Sequence, residues 1–475
     1  MENRDKPIKL ETESASLIFS AKMKSLFTWI PQFFQFSENK TNFRTEILAG
    51  VTTFLTMAYI LAVNPDILSN AIYLEQPKDL FGQLVIATAI SSAIATLLMA
   101  FLANYPFALA PGMGLNAFFA FSVVIGLEIS WKIALSAVFL EGIIFILLTF
   151  IDIRRQIVRA IPHCLKQAIA TGIGLFIAYI ALINGGIIVK SEVTITTLAN
   201  FNQPTTLMAI AGIVISCAFV ARRVTGALLW GILATAALGW ILQISPFPAS
   251  IMEIPPFPKD LFGQALIGFY DLNWQGLGDF LAVVFVFLFV DLFDTIGTLT
   301  GVGTQAGYID DSGELPKTNP ALMADAIGTT IGGLLGTSTI VAYIESASGI
   351  SEGGRTGFTG VVVAILFLLS IFFIPLISAI PSYATVPALL IVGVLMAGNV
   401  RSIRWDDPGE SIPSFLTILI MPLSYSIAEG LAVGFISYPL IKAFQGKMQE
   451  ITLTMWILAA VFVLRFVLRA LNLTS

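Results

Sequence analysis

Apolar runs of about twenty residues recur along this chain, and that recurrence limits the fold more than any motif does. A run of that length is what a helix needs to cross a bilayer core. Such windows fall near 44–63, 82–103, 107–125, 131–150, 165–183, 205–221 and 225–243. A second set falls near 279–303, 320–336, 338–352, 356–379, 383–399, 411–424 and 426–443. Several are short or interrupted, notably 107–125, 338–352 and the pair 411–424 and 426–443. Of 475 residues, 56% are hydrophobic and 12% charged, about half the charge of an ordinary soluble domain. Mean hydropathy is +0.87. A soluble fold could not hide that apolar surface, so a cytosolic enzyme, a nucleic-acid binder and a disordered chain are excluded. The fold class predicted is an all-α polytopic membrane protein of 14 transmembrane segments.

Other totals exclude less. Net charge is −5, so there is no polybasic face for nucleic acid or acidic lipid. Cys164 and Cys217 cannot make a disulfide framework and read as small core residues. The single histidine, His163, leaves no histidine metal cluster, and neither a metal nor a cofactor is expected. The first 40 residues are polar and charged and do not read as a cleaved signal.

Positive charge sets the expected orientation. With the N-terminus inside, the cytoplasmic connections carry Arg154, Arg155, Arg159, Lys166, Arg222, Arg223, Lys317, Arg355, Arg401 and Arg404, and Lys442 and Lys447 follow on the same side. The outside carries Lys78, Lys132, Lys190 and Lys259, a bias of twelve to four for a cytoplasmic N-terminus. The stretch 452–471 is apolar, but spanning would put Arg465 and Arg469 outside. It reads as an interfacial or peripheral helix.

An internal repeat accompanies the two sets. The segment from Ala87 to Leu98 aligns with that from Ala324 to Leu335, seven of twelve positions being identical or Ser/Thr equivalent, at an offset of 237. Two units with an odd number of spans are inverted relative to one another, which is a transporter architecture. The same offset pairs the interrupted segments, setting Phe107–Gly114 on Ile344–Ser351. Proline and glycine there predict an extended stretch followed by a half-helix in each. Two half-helices facing one another would direct positive dipole ends at one cavity. The external connection 244–276 is the only long loop expected.

A charge at bilayer centre costs at least about 2.5–3.5 kcal/mol, so each intramembrane acid needs a reason. Asp291 and Asp294, three apart on one helical face, stand out with Asp325 and Glu345. The plainer alternative has them bonded to backbone donors or to Thr295, Thr298 and Ser338. For Asp325 a helix-start or packing role would suffice. Glu141 and Glu429 read as structural residues near span ends. Asn116 is a polar candidate in the first half-helix, and Phe118 or Phe119 could stack on a flat ligand, although phenylalanines in such a chain mostly face lipid or core. Gly276-Leu-Gly-Asp279 with Asp271 imitates an aspartyl-protease motif, but both acids sit at the end of one loop, and the match is accidental.

Five segments carry a resemblance: Thr45–Ile60, Ala110–Ala117, Asp291–Thr298, Tyr343–Gly357 and Met421–Gly430. Over about residues 43–445 the chain resembles the adenine/guanine/hypoxanthine permeases, the AzgA-like branch of the nucleobase–cation symporter (xanthine/uracil permease) family. The resemblance implies a uracil-permease-like seven-plus-seven inverted repeat. It implies a cytoplasmic segment 1–42, core segments 43–150 and 279–379, gate segments 151–243 and 380–445, an external loop 244–278 and a C-terminal segment 446–475. It places substrate carboxylates at Asp291 and Glu345, with Asn116, Phe118 and Ser346 beside them. Asp294 and Asp325 are then supporting or proton-coupling acids, and Pro111, Gly112, Gly114 and Gly349 form the half-helix backbones. The partners implied are a purine nucleobase, protons and the lipid bilayer, in the cell membrane, with a homodimer left open.

The chemistry of the acids is consistent with this. An ionised carboxylate is acceptor-only and can take two adjacent N–H bonds, which suits a neutral purine better than an anion. Sodium coupling, a carrier of xanthine or uracil, a channel and a membrane-embedded enzyme using the same acids stay as alternatives.

Overall fold

The computed structural model describes residues 29–151, 161–255, 257–273, 276–309 and 315–470. Arg154, Arg155 and Arg159, which contribute to the charge bias, lie outside them. The first group of elements comprises α1 (Phe43–Met57), α2 (Ile60–Leu68), α3 (Phe81–Leu102), β1 (Leu109–Pro111), α4 (Met113–Ala117) and α5 (Trp131–Ile151). There follow α6 (His163–Asn184), a hairpin of β2 (Ile188–Ser191) and β3 (Ile195–Leu198), α7 (Pro204–Ala221) and α8 (Ala227–Ile241). The second half holds α9 (Gln264–Asp271), α10 (Leu277–Ala306), α11 (Thr318–Leu335), β4 (Ile340–Ala342), α12 (Ser346–Ser351), α13 (Gly357–Ser370) and α14 (Ile374–Ser378). It closes with α15 (Ser382–Ala397), α16 (Pro408–Leu423), α17 (Ile427–Phe444) and α18 (Leu453–Ala470). Among the described residues, nine helical stretches have the length and apolarity to cross a membrane, α1 and α2 counting as one.

Local chemistry sets many of the boundaries. Asn42 caps α1 by accepting the Thr45 N–H at 3.0 Å, and Thr356 and Ser426 cap α13 and α17 in the same way. Gly336, at φ +91°, ends α11 in the left-handed conformation; a side chain there would be strained and would meet Leu261. Small residues let the helices close up. A Cβ on Gly357 would collide with the Ala100 backbone, and one on Gly333 with Phe139, which fixes α13 against α3 and α11 against α5.

Two packing groups result. Helices α1–α5 and α9–α14 pack among themselves; α6 packs on α15, α16 and α17, while α7 and α8 pack on each other and on α15. The groups meet where α2 touches α15, α1 touches α8 and α4 touches α6. At the first junction Asp66 accepts from Ser382 at 2.8 Å and Thr385 at 2.7 Å and pairs with Lys78 at 3.1 Å.

Several expectations need correction. The connection 244–276 contains the helix α9, packed on α5, and the connection after α6 forms the β2–β3 hairpin. Cys164 is buried, but Cys217 is exposed and is no core residue. Glu141 is the eleventh of the 21 residues of α5, at its middle and fully buried. α18 lies antiparallel along α17, since Phe462 stacks on Phe435 at 5.8 Å and Arg465 pairs with Glu429 at 3.2 Å.

Candidate functional site

Breaking two helices inside an apolar layer leaves backbone groups without partners, and irregular backbone survives there only when protein satisfies it. Here the two breaks satisfy each other. β1 pairs antiparallel with β4, matching Leu109 with Ala342, Ala110 with Val341 and Pro111 with Ile340. Gly112 N–H donates to the Thr339 carbonyl and Tyr343 N–H to the Ala108 carbonyl, each at 3.0 Å, extending the ladder.

The outer edge of each strand is met by a threonine. Thr96 of α3 accepts the Leu109 N–H at 3.0 Å, and its hydroxyl donates to the Leu109 carbonyl at 3.1 Å. Thr329 of α11 treats Ile340 identically, at 3.1 and 3.0 Å. These roles place Thr96 and Thr329 233 residues apart, the separation also of the ends of α3 and α11. The sequence offset of 237 is therefore four residues out. A helix turns once in about 3.6 residues, so a slip of that size preserves the face and the similarity. The link from threonine to strand is two residues shorter in the second unit, so Leu109–Pro111 has its counterpart 231 residues on, in Ile340–Ala342, ahead of the 344–351 segment.

The half-helices differ from one another. From Gly112 the chain enters α4 and continues as a π-helical turn over Phe118–Gly126, a form frequent at functional positions. α12 has only six residues, too few for a substantial dipole, so two strong facing dipoles are not what holds the acid. Glu345, at the head of α12, instead receives the Tyr59 hydroxyl on Oε1 at 2.7 Å. Gly349 packs against Ala49 and Thr53 of α1 so closely that a Cβ would overlap both, and Gly114 lies equally tight on Ile173 of α6. Pro111 accepts the Tyr343 hydroxyl at 2.6 Å.

The remaining candidates gather around this crossing. Asn116 is fully buried, and neither its amide oxygen nor its nitrogen has a partner. Phe118 is buried with its ring edge-on to Phe287 at 5.0 Å. Asp291 is buried and accepts the Thr295 hydroxyl at 3.1 Å; that hydroxyl is equally placed, at 3.1 and 3.2 Å, on Asp325. Asp294, half-buried, feels the charges of Asp291 and Glu345. Ser346 is turned the other way: its hydroxyl accepts the Ala108 N–H at 3.0 Å and ties α12 to the approach of β1. Ser338 contributes no bond to the acids.

Three participants escape a reading of the sequence. Tyr59 holds Glu345 from the link between α1 and α2. Thr339 donates to Glu141 Oε2 at 3.0 Å, and the Glu141 carboxyl meets that of Asp291. An acid halfway along an apolar helix was the available signal for Glu141.

The architecture is that of membrane transport proteins. The fold superposes on the transmembrane domain of a cyanobacterial bicarbonate transporter, BicA, with TM-score 0.60 at 15% identity, covering 83% of this chain and 97% of that one. On SLC26A9 the TM-score is 0.61 at 12% identity, covering 90% of this chain and 70% of that one. At such identities the likeness is one of fold alone.

The family follows from sequence. A family model described as Permease family (Xan_ur_permease) matches residues 44–469. A putative permease of Methanocaldococcus jannaschii is 52% identical over 93% of this chain and 99% of its own length. The guanine/hypoxanthine permease PbuG of Bacillus subtilis is 45% identical over 92% of this chain and 99% of its own. The adenine permease AdeP of Escherichia coli is 40% identical over 92% and 96%. The chain belongs to this permease family, a multi-pass membrane transporter and not an enzyme.

Proposed function

We propose that this permease carries purine nucleobases, in the class of adenine, guanine and hypoxanthine, by proton symport. The guanine/hypoxanthine permease PbuG and the adenine permease AdeP are named as purine carriers, and the site chemistry suits a neutral base. The observation that carries the reading is Asn116: a buried side-chain amide with neither atom partnered, four residues past Gly112, whose N–H bonds Thr339 at the edge of the strand crossing. An amide offers donor and acceptor together, and a purine edge presents both. The two carboxylates accept the ring's N–H groups, and Phe118 closes an apolar wall.

In this reading the two packing groups are the core and the gate of a seven-plus-seven inverted repeat, at an offset of 233. They move against each other for alternating access, with the acids in the core. The N-terminus is cytoplasmic, in a cell membrane. A cysteine at Arg404, whose side chain is 69% exposed, stays unlabelled by an impermeant thiol reagent in right-side-out cells; labelling overturns the orientation.

The decisive test is uptake of radiolabelled hypoxanthine into liposomes. Unlabelled adenine, guanine and hypoxanthine should compete while uracil and sulfate do not, and an inward proton gradient should drive accumulation that an uncoupler abolishes. Uptake following sodium at fixed pH removes the proton; competition by uracil alone removes the purine.

A further inference from the structure

Glu141 belongs to none of the groups that the proposed site uses, yet it is placed among them. It sits at the middle of α5, fully buried. Its two oxygens differ. Oε2 accepts the Thr339 hydroxyl at 3.0 Å, immediately before β4, whereas Oε1 is buried with no donor. The groups acting on the carboxyl are Asp291 from α10, Asp325 from α11 and Thr339 from the approach to β4; none is a cation. Among the described residues, Glu141 has no ion pair.

Two ionised carboxylates have only acceptors to offer each other, and such a contact in a dry interior is repulsive. One proton between them turns it into a short, charge-assisted hydrogen bond. We infer that Glu141 is a proton-bearing positioning residue: a neutral acid whose Oε1–H donates to the Asp291 carboxylate. Both of its oxygens fit that state. The carbonyl oxygen Oε2 takes the Thr339 hydroxyl, and the hydroxyl oxygen Oε1 supplies a donor where the structure has none. Asp291 is then fixed by Thr295 from its own helix and by Glu141 from α5, and presents an ionised, oriented acceptor to its ligand. The proton stays on Glu141 throughout, and no other bond is made or broken. This rests on the substrate role proposed for Asp291.

Glutamine reproduces the neutral acid, with a carbonyl for Thr339 and an N–H for Asp291, while leucine keeps the volume and removes both. On detergent-purified, monodisperse protein, Glu141→Gln should bind radiolabelled hypoxanthine within about threefold of the parent, and Glu141→Leu at least about 30-fold more weakly. The infrared spectrum of the parent should contain a neutral carboxylic-acid carbonyl band that Glu141→Gln removes. That band is read on folded protein without ligand, so it decides the matter even if the leucine variant fails to fold. An unchanged band, a glutamine variant as weak as leucine, or a folded leucine variant that binds like the parent overturns the assignment. If Asp291→Asn and Glu345→Gln lose binding while folded Glu141→Leu keeps it, only the role of Glu141 fails. If all of them bind like the parent, the proposed site itself fails.

Discussion

Acidic residues occupy two regions of this molecule in opposite company. Around the start of α16 and the end of α17, Asp407 and Glu450 converge on Lys442, at 3.2 and 2.9 Å, although only 1% of that lysine side chain is exposed. Lys447 adds a second cation 3.6 Å from Asp407. At the strand crossing, Glu141, Asp294 and Glu345 make no ion pair among the described residues, and Asp294 is acted on by other acids. The first arrangement compensates charge locally and holds helices together. The second tolerates uncompensated acids in the middle of an apolar layer, an arrangement with no advantage for stability. Stability and ligand chemistry should therefore separate by region when each is mutated.

The largest expected effect is at the crossing. Glu345→Gln retains the shape but sets an N–H where a ligand N–H must bond, which costs about 2–4 kcal/mol of binding, or roughly 30- to 1000-fold. Asp291→Asn should act similarly, and neither should lower the melting temperature. Hypoxanthine binding to folded Glu345→Gln that equals the parent would reduce the acid to a partner of Tyr59. Next comes the rim. Lys442→Met leaves Asp407 and Glu450 without their buried cation and should lower stability by about 1–3 kcal/mol while binding is unchanged; a binding loss as large as that of Glu345→Gln would erase the distinction between the regions.

Asn116→Ala sharpens the comparison with a smaller number. An amide without partners contributes nothing to the empty fold, so thermal unfolding should stay put while affinity falls by about tenfold. A drop in melting temperature with intact binding would make it a packing residue.

The smallest effect is a pH dependence at the rim. Bonds from Gln445 and from the Gly409 N–H, with Lys442, hold the Asp407 carboxyl well below the usual carboxylate range. Its folded value lies below its unfolded one, so its stabilisation is complete above about pH 4. It is lost as pH falls through the folded value. The melting-temperature gap between the parent and Asp407→Asn should thus be constant at neutral pH and shrink in acid; a gap that widens in acid reverses the sign.

Element positions were largely legible, because an apolar run and its flanking charges are local features: α3, α5, α6, α7 and α10 each begin and end within three residues of the expected windows. The strand–helix character of 107–125 was legible from Pro111 and Gly112 for the same reason. The offset of the repeat was not, because two helices slipped by one turn present nearly the same face. Thr96 and Thr329 fix the register through hydroxyls that meet backbone far along the chain. The acids could be named from their cost in a bilayer, but the partner of Glu345 could not. Tyr59 lies 286 positions away, and nothing in the composition of the link between α1 and α2 marks its hydroxyl as the donor. Glu141 was legible as a mid-helix charge and was underweighted, whereas Ser346, adjacent in sequence to Glu345, spends its hydroxyl on Ala108.

The pair between Glu429 and Arg465 bears on how the chain is made. Each side chain is only 18% exposed, so the pair is screened far less than one on an open surface. During synthesis α17 leaves the ribosome first, so Glu429 must enter its environment before Arg465 exists. α18 follows with its matching charge and with Phe462, which stacks on Phe435 and meets Phe285 at 5.8 Å. Closure of this hairpin is then a late step of folding, since Arg465 and Phe462 can reach α17 only after α18 has been made.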